Sequence, residues 1–336
     1  MTKLLMTLGP SSLNKNTIEA CDKKGIFLYR INLSHTDIDE LEDRINKIRK
    51  YTETPICLDS EGAQIRNQKM CDGTTFFKKS SVVTIHHDEI VGDENNISFT
   101  PKGICAEFKV GDIVDIDFHS ARLCIIEINK SYCKAEVLNE GEVGSNKATN
   151  VSRDIPLNPI TLKDEQALRI GKEMGINHFA LSFASSKNDI KLMRNKVGNE
   201  SYLISKVESL IALKNLQDII KSSDAILIDR GDLSRQVPIE KIPFLQRRII
   251  SSSRARNREV FVATNLLESM VTTMLPTRAE VNDVVSTLLM GASGLVLAAE
   301  TAIGQYPVEC VEMIHKLIEE YNRWTPDNNL EDILAD

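Results

Sequence analysis

Eight short apolar runs recur along this chain, each closed by polar residues and separated from the next by segments of other character. They span Lys3–Leu8, Ile26–Leu33, Pro55–Leu58, Ile176–Phe183, Ser201–Val207, Ala225–Ile228, Glu259–Ala263 and Gly294–Leu297. Helical patterns lie between most of them. In Thr36–Tyr51, Ile38, Leu41, Ile45 and Ile48 fall at helical spacing. Thr161 is a plausible N-cap for a helix running through Met174. Further helices are predicted at Lys187–Lys196, Leu210–Ile220, Ile242–Asn257, Leu266–Val271, Glu280–Gly291 and Pro307–Tyr321. Alternating strands and helices imply α/β architecture with parallel strands, and eight such units are the count of a (β/α)8 barrel, or TIM barrel. A doubly wound sheet would ordinarily use fewer strands and a glycine-rich fingerprint after the first. Gly9-Pro10-Ser11-Ser12 is not that fingerprint.

The alternation breaks once. Between 67 and 150 there is no helical period, only β-type runs at Val82–Ile85, Ile113–Asp117, Leu123–Ile128 and Cys133–Val137, punctuated by glycines. The expected organisation is a barrel from 1–66 and 151–325, a small all-β domain at 67–150 inserted after strand three, and a frayed acidic tail at 326–336.

Length and composition narrow the class. The chain has 336 residues, enough for one large and one small domain, and a net charge of −7, which argues against nucleic acid or a membrane surface as partner. No apolar stretch approaches the length of a membrane span, and no signal-peptide pattern opens the chain. Seven scattered cysteines without CxxC spacing read as reduced thiols in a cytoplasmic protein.

In a barrel the strand C-termini face the active site. Lys206 and Glu208 close strand five at spacing two and so share a face, while Asp229, Arg230 and Asp232 close strand six. A cation with several acids suits metal-assisted chemistry on an anion; it also suits a buried structural ion pair. Arg30, Asn32, Ser34, Asp59, Thr264 and Glu300 would join them on the same rim. His86 and His87 are adjacent in a strand-like run, so their rings diverge and make a poor metal site.

These strand ends carry a family likeness. The chain resembles the pyruvate kinases through TLGPSS, RINLSH, LDSEGAQIR, SKVE, DRGDL, ATNLLESM, PTRAE and AAETAIGQYP, in the family's order, over residues 1 to about 321. The resemblance implies the same barrel, with the insertion as a small lid. It implies phosphoryl transfer between phosphoenolpyruvate and ADP, giving pyruvate and ATP, with Mg²⁺ or Mn²⁺ and also K⁺. Carried over residue by residue, Glu208 and Asp232 would hold the divalent ion and Lys206 would sit against the transferring phosphoryl group. Arg30 would bind phosphate. Gly231, Asp232 and Thr264 would hold the substrate carboxylate. Asn32, Ser34, Asp59 and Ser60 match potassium positions; His35, Asn32, Arg66 and Lys147 match nucleotide-contacting ones. Phosphoryl transfer needs cations around the equatorial oxygens and little covalent chemistry, which agrees with these roles.

The chain also departs from the family pattern. Glu61 reverses a charge, and Gln64 replaces the acid associated in the family with potassium dependence. Asp229 and Ser234 flank RGDL where the family has alanine and glycine, and Asn265 replaces glutamine. Ala298 replaces a serine near the enolate face, and Asp117-Phe118-His119 stands where the family has DDG. The chain ends soon after Trp324, which implies a member without the family's C-terminal domain and effector site that can still dimerise through the barrel. Alternative readings are a different enol acid or acceptor, an Mg²⁺-dependent oxo-acid lyase, and a non-catalytic protein that binds phosphoenolpyruvate or nucleotide. Lys206 two residues before Glu208 favours phosphoryl transfer over the lyase.

Overall fold

The computed structural model describes residues 2–117 and 120–334. Its chain forms two compact units, one from 1–62 and 159–336, the other from 63–158. The first is a closed barrel of eight parallel strands: Lys3–Thr7, Leu28–Asn32, Ile56–Asp59, His178–Leu181, Tyr202–Val207, Ala225–Asp229, Glu259–Ala263 and Gly294–Leu297, the last pairing back onto the first. Each strand pairs with its sequence neighbours among these eight.

The strands are buried along almost their whole length because both faces are covered. Alternate side chains fill two different cores. Leu5, Leu28, Cys57, Ala180, Ile204, Leu227, Phe261 and Val296 belong to the cluster inside the barrel. Leu4, Met6, Leu203, Val207, Ile226 and Ile228 join the larger cluster between strands and helices. Period two in the sequence therefore sorts each strand into an interior file and a helix-facing file.

Three helices open with a capping box: Leu162–Glu173 on Thr161 and Asp164, Lys187–Val197 on Ser186 and Asp189, Arg278–Leu289 on Thr277 and Glu280. Elsewhere the helical pattern is interrupted. The helix expected from Thr36 begins at Leu41, after 3₁₀ turns at Leu33–His35 and Ile38–Glu40. The one expected at Leu210–Ile220 is two pieces, Leu210–Lys214 and Leu216–Ser222. They break at Asn215, whose side-chain amide donates to Ser185 O at 2.8 Å. Leu266–Val271 is only a 3₁₀ turn over Glu268–Val271.

The second unit has its own core, including Phe77, Ile85, Ile97, Leu123, Cys133 and Val137. A seven-stranded sheet of mostly antiparallel strands and a separate pair, Thr74–Phe77 with Gly141–Gly144, build it. The unit is wider than the 67–150 of the sequence reading. Ile65 belongs to its core, Thr149 N donates to Ile65 O, and Val151, Ile155 and Leu157 pack against it. Phe118 and His119 lie outside the described residues. Among the described residues, no helix is long and apolar enough to cross a membrane.

Candidate active site

The register that fills the barrel interior also delivers its chemistry. Two residues beyond the interior side chains Leu5, Leu28, Cys57, Ala180, Ile204 and Leu227 come Thr7, Arg30, Asp59, Ser182, Lys206 and Asp229. They continue the same inward files toward the C-terminal end.

Asp59, fully buried, is the hub of this layer. Its Oδ2 accepts from Arg30 Nη1 at 2.8 Å and from Lys206 Nζ at 3.3 Å, and its Oδ1 accepts from Ser182 Oγ at 3.2 Å. Arg30 Nε donates to Thr7 Oγ1 at 2.8 Å, and that hydroxyl donates to Leu297 O. Lys206 Nζ also donates to Ser182 Oγ at 3.0 Å and lies 2.9 Å from Glu208 Oε1 and 3.9 Å from Asp229 Oδ2. Burial alone would favour a neutral amine at Lys206. The carboxylates of Asp59, Glu208 and Asp229 outweigh it and hold the ammonium pKa above its ordinary value.

Glu208 is also fully buried. Its Oε2 accepts from the Phe183 amide at 2.6 Å; Phe183 holds a left-handed φ of 52°. Burial, then the neighbouring charges of Asp229 and Asp232, raise the Glu208 pKa, with Lys206 working against them. Its Oε1 accepts no well-directed hydrogen bond despite the nearby ammonium. One carboxylate oxygen from each of Glu208, Asp229 and Asp232 lies within 4.8 Å of the others. Hard oxygen donors gathered around a buried carboxylate are the donor type that Mg²⁺ or Mn²⁺ takes.

Strand six runs directly into the one-turn helix Arg230–Leu233, with Asp229 as its N-cap. Thr264 and Asn265 both take left-handed φ, 67° and 53°, at the end of strand seven. Arg230 pins that kink: Nε and Nη2 donate to Thr264 O at 3.1 and 2.5 Å, while Nη1 pairs with Asp283 at 2.5 Å. Thr264 Oγ1 accepts from Gly231 N at 2.9 Å, and Asp232 N reaches Asp229 Oδ1 at 3.4 Å. Of the residues expected to hold a carboxylate, Gly231 and Thr264 are thus joined to each other, while the Asp232 amide turns to Asp229.

The remaining expected residues fall into three settings. Asn32 is in register beside Asp59, and its Oδ1 accepts from Ser34 N at 3.0 Å; Ser60 Oγ accepts from Ser182 N at 2.9 Å. His35 is exposed at the end of the turn after strand two. Arg66 and Lys147 belong to the inserted unit, where Lys147 N donates to Asn67 Oδ1 and its ammonium pairs with Asp117 at 3.1 Å. Glu300 lies just past the end of strand eight, where its carboxylate accepts from Leu267 N and Ala298 N.

Sequence reading did not single out Ser182, the shared partner of Asp59, Ser60 and Lys206. Its only signal was its place at the end of strand four. Asp164 was also missed. Its carboxylate accepts from Glu61 N and Gly62 N at 2.7 and 3.1 Å while capping its own helix. Gly62 has φ +74° and sits where a Cβ would lie 2.7 Å from that of Ser182, so the loop after strand three needs glycine there.

A family model described as the barrel domain of pyruvate kinase matches residues 1–311. A pyruvate kinase of Thermotoga maritima is 33% identical over 328 residues, covering 95% of this chain and 70% of its own. One of Thermococcus litoralis is 33% identical over 332 residues, with the same coverage. The crystal structure of a Cryptosporidium parvum pyruvate kinase superimposes with a TM-score of 0.86 at 28% identity. It covers 97% of this chain and 70% of that one.

Proposed function

The chain belongs to the pyruvate kinase family of phosphotransferases, and from that membership we propose that it moves the phosphoryl group of phosphoenolpyruvate to ADP, yielding pyruvate and ATP. The observation that carries this reading is the buried Lys206 ammonium, held among Asp59, Glu208 and Asp229 beside the Arg30 guanidinium.

Arg30 offers a planar fork to the phosphate, and Lys206 a point charge to the oxygens of the transferring group. Thr264 and the amides of Gly231 and Asp232 receive the substrate carboxylate, exchanging their present internal bonds for substrate ones. Glu208 and Asp232 would hold Mg²⁺ or Mn²⁺, which when bound supplies positive charge to the phosphoryl oxygens. Asn32, Ser34, Asp59 and Ser60 are assigned to K⁺, and His35, Asn32, Arg66 and Lys147 to the nucleotide. A homodimer through the barrel and a cytoplasmic setting belong to the same proposal.

A coupled assay with phosphoenolpyruvate, ADP and Mg²⁺, with and without K⁺, tests it. Wild type should release pyruvate, and Lys206→Met should lower kcat by roughly 10²–10³-fold, the scale of removing one charge-stabilising group. Calorimetric binding of phosphoenolpyruvate without turnover would favour a different acceptor or a non-catalytic protein. Oxo-acid cleavage in the same preparation would favour the lyase.

A further inference from the structure

The end of strand four brackets the Lys206–Glu208 pair of strand five. Ser182 Oγ accepts from Lys206 Nζ at 3.0 Å, and the next residue, Phe183, donates its amide to Glu208 Oε2 at 2.6 Å. Ser182 is 2% exposed and follows Ala180, the register partner of Asp59, in the inward file. Its amide donates to Ser60 Oγ at 2.9 Å. The single hydrogen of its hydroxyl faces Ser60 O at 2.7 Å and Asp59 Oδ1 at 3.2 Å. With that hydrogen given to strand three, Oγ meets the ammonium as an acceptor.

The other groups around Nζ are acids: Glu208 at 2.9 Å, Asp59 at 3.3 Å and Asp229 at 3.9 Å. Each carboxylate draws the ammonium onto itself and cancels its field, whereas a hydroxyl holds it and leaves its charge in place. We propose that Ser182 is a positioning residue for phosphoryl transfer, a neutral acceptor that keeps the Lys206 ammonium from settling on the carboxylates around it. The proposal rests on the role given to Lys206 above and adds the group that aims it.

The competing role is packing, since Ser182 lies against Gly62, where an added Cβ would come within 2.7 Å of its own. Cysteine keeps the shape of serine but is a weak acceptor, so Ser182→Cys separates the two roles, with Ser182→Ala beside it. The experiment measures pyruvate release from phosphoenolpyruvate and ADP by the full-length variants, with unfolding midpoints, and repeats Ser182→Cys in the Lys206→Met background. Both single variants should lose roughly 10–100-fold in kcat, the scale of one hydrogen bond to a charged group, with KM for phosphoenolpyruvate within about threefold of wild type. In Lys206→Met the same change should alter kcat by less than about twofold, because no ammonium is left to aim. Wild-type kcat in Ser182→Cys, whatever its KM, or an equal loss with and without Lys206, overturns the proposal and leaves the reading of the enzyme standing. No pyruvate from wild type overturns both.

Discussion

Glu208 is held in two opposing ways. Burial and the charges of Asp229 and Asp232 favour its neutral form, while Lys206 and the Phe183 amide favour the carboxylate. The outcome is a pKa raised to about 8. A carboxyl whose folded pKa is raised binds its proton more tightly when folded. Its stabilising contribution is therefore complete below the ordinary carboxylate range and lost as pH rises through about 8. In chelator, the unfolding midpoint of wild type relative to Glu208→Gln should fall from pH 5 to about pH 8 and then level off. Added Mn²⁺ should reverse the order at pH 9, since the cation stabilises the ionised form. A midpoint difference independent of pH would contradict this account of Glu208. At this scale the charged residues were legible: Lys206 and Glu208 announce themselves as charges two apart at the end of an apolar run. Ser182 was not, because a serine at a strand end carries no signal until its partners Asp59 and Lys206 are brought from strands distant in sequence.

Elements are tied to loops by the acids that cap their helices. Asp189 accepts from Ser185 N as well as from Ser186, and Glu280 accepts from the Ser269 amide and hydroxyl as well as from Thr277. Asp164 reaches furthest, bonding Glu61 N and Gly62 N, about a hundred residues away in sequence, while closing its own capping box. It is fully buried, so Asp164→Ala removes an ionic cap and strands two loop amides. Denaturant unfolding should report a loss of about 2–3 kcal/mol, with Asp164→Asn recovering part of it. A change within about 0.5 kcal/mol, the range of ordinary surface substitutions, would contradict the clamp. The caps were partly legible, since Thr161 stands where a helix begins, but the second bond of each acid depends on tertiary contact. The same divide explains the elements. Barrel strands were readable because burial on both faces demands unbroken apolar runs. The short strands Thr74–Phe77, Gly141–Gly144 and Thr149–Val151 were not, being half exposed and too brief to show a period.

Among the described residues, the barrel clusters and the core of the inserted unit share no residue. The order of motifs along the chain made the barrel legible as a family member, whereas the insertion could be read only as β-rich. Its strand pairing joins segments such as Arg66–Asn67 and Asn96–Thr100 that no local pattern links. The chain leaves the barrel after Gly62 and returns at Pro159, and Asp164 holds residues on both sides of that break, Glu61 and Gly62 before it and Thr161 after it. Ends tied to one carboxylate lie close enough for a short bridge. Joining residue 62 to residue 159 through about four glycine and serine residues should therefore leave a barrel that folds cooperatively. Because Glu208, Asp229 and Asp232 all belong to it, the excised protein should bind Mn²⁺ with wild-type stoichiometry. It should fail to transfer phosphoryl groups to ADP, having lost Arg66 and Lys147. Turnover with ADP at the wild-type rate would remove those two residues from the nucleotide site. Failure of the excised barrel to unfold as one transition would mean that its core depends on the inserted unit.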